Sequence, residues 1–436
     1  MISTAALATL VVLLSPSTAA ATGSCQVSGE LTNGEKMRCL AASEAMLDQP
    51  TLTLEQLEKG PGFDPADPDG SRHVYFTRDD TLTCYFRPYF AFISDKGQSP
   101  KFLCWLLNPQ RAFVDREGRP IDADQVRVVR KGHGTALVAR SDGGDAREIA
   151  ADQVKINYLL PPYPHHSSRD NEVFTQVAAT RLLWALGFPA DYQYSALAVN
   201  CVGCSADPFK DNQKENTAAP RDRAVAFRIS AVERLFPGDA LEVASDDTWS
   251  WTDAAQLYGG SSWSRDQKVG YDAYRLALGM LAYHNALASQ NRLVCAEWKN
   301  EGAGPKVCTR VVMMVQDVGS TFGKPGSLGN SRGDFNDWES QRVFADASRC
   351  ELRFPLRGDT TVLEDARALV ARRLESLDRE RVKAIFRAAR FDMMDLKQLS
   401  GLRHGGSDPG QAALDQWTDA FLQRAAEIRN ARNCRR

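Results

Sequence analysis

Residues 271–284 read YDAYRLALGMLAYH, 285–291 follow as NALASQN, and 292–295 as RLVC. Further on, 311–315 read VVMMV and 316–323 read QDVGSTFG. Leu276, Met280 and Leu281 recur at helical spacing, which predicts a buried or half-buried helix. Asn285 to Asn291 is polar and reads as a loop. Arg292 to Cys295 is a short strand-like run, separated by a Gly- and Lys-containing turn from a second apolar run, Val311 to Val315. That run stops at Asp317, two residues before Gly319. The order is helix, Asn-bearing loop, strand, hairpin, strand and Asp-x-Gly, and the rest of the chain is read around it.

Working outward, the 436 residues suffice for two to three domains, or for one two-lobed domain with an N-terminal extension. A net charge of -2, from 53 basic and 55 acidic residues without like-charge blocks, argues against nucleic acid or an anionic membrane as the main partner. Residues 1–24 carry no charged side chain. Ala5 to Leu14 is apolar and Ala19 to Ala21 offers small-residue cleavage sites, so 1–23 reads as a secretory signal peptide, although its usual basic residue is missing. The apolar run is too short to span a bilayer, and no stable membrane insertion is expected. All ten cysteines follow the leader, and an even count in an exported chain implies disulfides. Connectivity is open from sequence. Nearest-neighbour pairing would staple one local feature per bond, and Cys295 with Cys308 would clamp the central hairpin, worth about 3 kcal/mol by loop closure. A periplasmic or secreted location is the expectation.

Gly34 to Leu47 has helical character, and residues 60–70 form a turn-rich linker. Asp67, Asp69 and Gly70 fail as a calcium loop because Pro65 and Phe76 occupy ligand positions. Short aromatic and β-branched strands run from His73 to Leu107, and the pattern continues from Gln125 to Val138. Lys131-Gly-His-Gly134 reads as a hairpin turn rather than a phosphate-covering loop. Val154 to Tyr158 alternates as a half-buried strand. A helix is predicted from Asn171 to Leu186, with Val173, Val177 and Trp184 on one face and Gly187 as C-cap. Strands follow at Ser195–Val199 and Ala224–Ile229, with a polar loop at 210–223. Trp249, Trp251 and Trp263 lie in a Gly/Ser-rich stretch. Stripes at Leu363 to Leu377 and Val382 to Ala389, then Ala412 to Ile428, predict core-facing helices. The expected division is 1–23 leader, 24–71 N-terminal extension and linker, 72–229 β-rich lobe and 230–436 helical lobe.

This layout, an α+β chain with a β-rich first half and the quoted stretch in the second, resembles the two-lobed protein-kinase-like fold. The likeness is to its atypical branches: HipA-type serine kinases, phosphatidylinositol-kinase-like enzymes and secretory-pathway kinases. Residues 172–188 (EVFTQVAATRLLWALGF) and 316–323 also resemble an exported bacterial family. Short motifs between about Lys101 and Phe391 carry the resemblance. It implies ATP and magnesium as cofactors and an ATP-dependent phosphotransferase activity. By position, Lys155 would pair with nucleotide phosphates and Glu172 with Lys155. Asp317 would bind magnesium, and Asn291, or Gln290 beside it, would be the second residue on the metal side.

One departure matters. In kinases an Asp five residues before the loop Asn accepts the substrate proton, and Asn285 or Ala286 stands there. Neither is a carboxylate. The adjacent His284 is able to accept a proton near neutral pH. The chain thus reads as a nucleotide-binding kinase-like protein of degenerate, pseudokinase type. The alternatives are a non-catalytic periplasmic or extracellular binding module on the same scaffold, and a zinc or thiol protein. The last would be centred on Cys201 and Cys204, with His165 and His166 or with Cys295 and Cys308 completing the ligands. Each site residue also has a plain structural reading. Lys155 suits a solvated strand position, Glu172 favours a helix dipole, Asp317 suits a turn and His284 suits a helix end.

Overall fold

The computed structural model describes residues 24–63, 76–87, 100–106, 126–131, 135–140, 142, 146–150, 152–159, 171–209, 224–243, 248–299, 306–324, 331–354, 356, 360–394 and 408–435. The leader 1–23, the linker from 64 to 75, the Gly-His-Gly turn at 132–134, the loop 210–223 and the pair His165–His166 lie outside the described residues.

In chain order come β1 (Cys25–Val27), α1 (Asn33–Ala42), α2 (Leu54–Lys59), β2 (Thr81–Arg87), β3 (Lys101–Leu106), β4 (Val126–Lys131), β5 (Thr135–Arg140), β6 (Ala146–Ala150) and β7 (Asp152–Tyr158). Then follow α3 (Glu172–Ala185), β8 (Tyr192–Val202), β9 (Ala224–Arg234), β10 (Asp239–Ala240), α4 (Trp251–Gly259), α5 (Arg265–Met280), β11 (Asn291–Lys299) and β12 (Lys306–Val315). The chain closes with α6 (Phe335–Glu339), β13 (Phe344–Asp346), β14 (Glu351–Leu352), α7 (Glu364–Leu374), α8 (Arg379–Ala388) and α9 (Pro409–Asn430). The fold is mixed α+β.

Strands β2, β3, β7, β9 and β8 form a closed barrel, sealed by a parallel pairing of β2 with β8. Strand alternation divides its residues between two faces. Val154, Ile156, Tyr158, Tyr194 and Val232 pack inside with Phe102 and Phe227. Lys155, Asn157, Gln193 and Glu233 therefore point to the outer face, which α3 covers: Asn157 Nδ2 donates to Gln176 Oε1 of that helix at 3.4 Å. Helix α3 is buried on all sides except at Trp184, so it is a core helix and not the one-faced helix its stripe suggests.

The second sheet has the order β1-β12-β11-β10. Its β11–β12 hairpin is the one expected from the sequence, with both strands extended toward the turn. Helix α5 begins at Arg265, ahead of the expected Tyr271, because Ser264 and Gln267 form a capping box. The tryptophan-rich stretch holds a further helix, α4, capped by Ser250 and Asp253, and Trp249, Trp251 and Trp263 are buried beneath it. Buried guanidinium groups satisfy the carbonyls that helices leave free at their C-termini. Arg424 donates to Met280 O at 2.7 Å after α5, and Arg373 to Leu186 O at 2.6 Å after α3.

Two boundaries differ from the sequence expectation. Strand β9 runs through position 229 to Arg234, so the barrel ends there. Residues 24–63 are built into the molecule: β1 pairs with β12, Arg181 Nη1 donates to Leu57 O at 2.7 Å, and the Tyr194 hydroxyl donates to Pro61 O. The disulfides are Cys25–Cys39, Cys84–Cys104, Cys201–Cys204, Cys295–Cys308 and Cys350–Cys434, the nearest-neighbour pattern throughout. No described cysteine is free. Five such bonds suit a non-reducing compartment. No described helix is long and apolar enough to cross a membrane.

Candidate functional site

The site forms where the outer face of the barrel meets the end of β12. Register places Leu103, Lys155, Glu233 and Gln193 in one line across β3, β7, β9 and β8. Lys155 Nζ lies 2.6 Å from Glu233 Oε2, and Gln193 Nε2 donates to the same oxygen at 2.7 Å. Burial opposes a charge on Lys155, but Glu233, Asp317 and Asp191 outweigh it and raise its pKa.

Tyr274 of α5 brings β12 to this face. Its hydroxyl donates to Pro189 O at 2.6 Å and accepts from Val315 N at 2.9 Å, beside a parallel bridge between Ala190 and Val315. Asp317 follows two residues later. Its Oδ1 accepts from Gly319 N at 3.0 Å. Burial would push its carboxyl up, but Lys155, Lys101, the Gly319 amide and Arg332 more than compensate, so it stays below the usual carboxylate range. Lys155 and Asp317 thus stabilise each other's charged forms.

The turn after Asp317 is held against α3. The Gly319 carbonyl accepts from Thr175 Oγ1 at 2.8 Å. A Cβ on Gly319 would lie 2.3 Å from Glu172 Cγ, so this close approach excludes other residues. Glu172 itself pairs with Arg332. The ion pair expected between Lys155 and Glu172 is therefore replaced: Glu233, on the neighbouring strand, lies directly opposite Lys155, while Glu172 at the start of α3 turns to Arg332.

Asp191, just before β8, is fully buried. It accepts from Phe236 N at 2.7 Å and lies 3.7 Å from Arg292 Nη1. Burial, with Glu233 nearby, pushes its carboxyl up to about 7 against the pull of Arg292 and Lys155.

The remaining expected residues are placed as follows. Asn291 opens β11 opposite Val315, and its Nδ2 donates to Trp249 O at 2.9 Å. Its Oδ1 is buried and has no hydrogen-bond partner. His284 Nδ1 lies 3.1 Å from Ala282 O, which can only accept, so Nδ1 carries the proton and Nε2 is the bare nitrogen. Burial holds the His284 pKa below its ordinary value, helped by Arg332. Asn285 Oδ1 accepts from Leu287 N at 3.4 Å in a local turn. Tyr283 lies fully buried and feels the Asp317 charge, and its hydroxyl is without a partner.

Sequence reading missed Glu233, Asp191, Gln193, Tyr283 and Arg332. Glu233 and Gln193 become visible only when the strands are put in register. Arg332 carries no local signal. With Cys201 bonded to Cys204 and Cys295 to Cys308, neither pair offers thiolates, and the zinc reading loses its ligands.

No family model matches the chain, and no curated protein does. Among solved structures it is similar to the Helicobacter pylori proinflammatory kinase CtkA, with 10% identity and a TM-score of 0.35 over 67% of this chain and 89% of that one. The overlap is loose at that score, and the site is read from its own residues.

Proposed function

We propose that this is an exported, periplasmic or secreted protein on a two-lobed kinase-like scaffold, which binds a nucleotide–divalent metal complex where the barrel meets β12. The observation that carries the reading is the mutual electrostatic support of Lys155 and Asp317, brought together from different elements. A triphosphate with its metal ion needs a fixed cation and a fixed carboxylate side by side. Asp317 would be the metal carboxylate: its pKa is held low, and among the described residues the Gly319 amide donates to its Oδ1. Asn291, whose buried Oδ1 has no hydrogen-bond partner, would supply the second oxygen donor. Lys155 would neutralise phosphate charge, with Glu233 in the orienting role first given to Glu172. The metal, when bound, would draw charge from the phosphate oxygens.

Phosphate transfer has less support. Asn285 offers an amide where a proton acceptor is expected, and the bare Nε2 of His284 is the nearest alternative in the sequence. This favours a pseudokinase or a binding module over an active phosphotransferase. The test is a thermal shift of the mature chain with ATP, with and without Mg²⁺ or Mn²⁺. Nucleotide at a hundred times its dissociation constant stabilises by about 2.7 kcal/mol. The expected result is a metal-dependent shift that Asp317→Ala abolishes. No shift in the unaltered chain would overturn nucleotide binding and leave the binding module.

A further inference from the structure

Three sulfurs lie together at one end of the barrel. The Sγ atoms of Cys84 on β2, Cys104 on β3 and Cys201 on β8 are all within 4.8 Å of one another. All three residues are fully buried. Cys84 is bonded to Cys104, and Cys201 to Cys204. Yet the register partner of Cys84 across the parallel β2–β8 pair is Cys201. Neighbouring strands lie about 4.8 Å apart. That falls inside the Cα separation of about 4.4–6.8 Å that a disulfide spans. The Cα separation thus allows a Cys84–Cys201 bond, which would cross the pairing that closes the barrel.

The geometry points to a thiol–disulfide exchange site, in which a Cys201 thiolate attacks the Cys84 sulfur and moves the covalent staple from β2–β3 to the β2–β8 seam. One S–S bond forms as another breaks. The electron pair leaves on Cys104, which becomes the thiolate, so thiols and disulfides are conserved in number. Cys204 is 2% exposed, so in the intact chain the opening thiolate arises when the turn at Gly203 opens and an external thiol attacks Cys204, where it is held as a mixed disulfide. Cys201–Cys204 is the bond to open. Its partners are 3 residues apart, against 20 for Cys84–Cys104, so it gains least from loop closure. It also sits at a turn, where Gly203 adopts φ 81°.

The test uses the full mature chain, quenched in acid, alkylated and mapped as peptides without reduction. In Cys204→Ser, the expected outcome is loss of part of the Cys84–Cys104 link, a new Cys84–Cys201 link and alkylation on Cys104. Cys104→Ser should give the same new link with alkylation on Cys204. Unaltered chain treated with a limiting small dithiol reads the exchange without any substitution, so a variant that fails to fold does not remove the test. The Cys84–Cys201 peptide in any of the three supports the proposal. Alkylation confined to the cysteine left unpaired, with the other disulfide intact throughout, overturns it.

Discussion

Asp191 shows how one buried carboxylate couples the site to pH. A carboxyl raised in the folded state binds its proton more tightly there than in the unfolded chain. Its contribution to stability is complete below the unfolded value of about 3.9 and is lost as pH rises through the folded value of about 7. Asp317 is lowered and works the other way, its contribution present above its unfolded pKa and lost as pH falls through its lowered folded value. Asp191→Asn should therefore flatten the fall in stability between roughly pH 4 and 7, read as denaturation midpoints across that window. A variant that keeps the full decline would assign it to another group. None of this was legible beforehand. Asp191 sits between an apolar helix and an apolar strand, and its partners Phe236 and Arg292 are distant in sequence. Asp317 was legible, because an apolar run ending in Asp-x-Gly marks its own position.

At the scale of elements, the helix α5 is more than core filling. Its Tyr274 hydroxyl joins the segment before β8 to the end of β12, so the phenol, beside the Ala190–Val315 bridge, helps to hold the site's two sides together. Tyr274→Phe leaves the Val315 amide buried without its acceptor, which should cost about 1–3 kcal/mol. Urea unfolding checks this, and an unchanged midpoint would mean the phenol is dispensable. Elements with strong periodicity were legible: α3, α5, α7, α8, α9 and the β11–β12 hairpin all follow from apolar spacing. Helix α4 was not, because tryptophans and glycines obscured it. Its signal was the cap, Ser250 followed three residues later by Asp253. Local pattern finds helices and strands, but cross-strand neighbours such as Glu233 depend on register, which needs the fold.

For the whole molecule, the C-terminal end is fastened from several directions. Cys434 is bonded to Cys350, and Leu363 bridges to Arg435. Arg435 lies 3.6 Å from the buried Asp272, which also holds Arg275 at 3.0 Å. The disulfide spans 84 residues. Replacing both of its cysteines by Ser should therefore lower stability by about 4–5 kcal/mol in the chain-entropy model, measured by denaturant titration under non-reducing conditions. A loss well under that would mean the Arg435 and Asp272 contacts hold the end without it. The opposite end has a different consequence. Strand β1 is the first of the described strands in chain order, but the strand it pairs with lies roughly 280 residues downstream. Of that pairing and the Cys25–Cys39 disulfide, the disulfide is the link to β1 that is local in sequence. The pairing of β1 therefore waits for β12, roughly seven-tenths of the way along the chain, and until then β1 has no strand beside it.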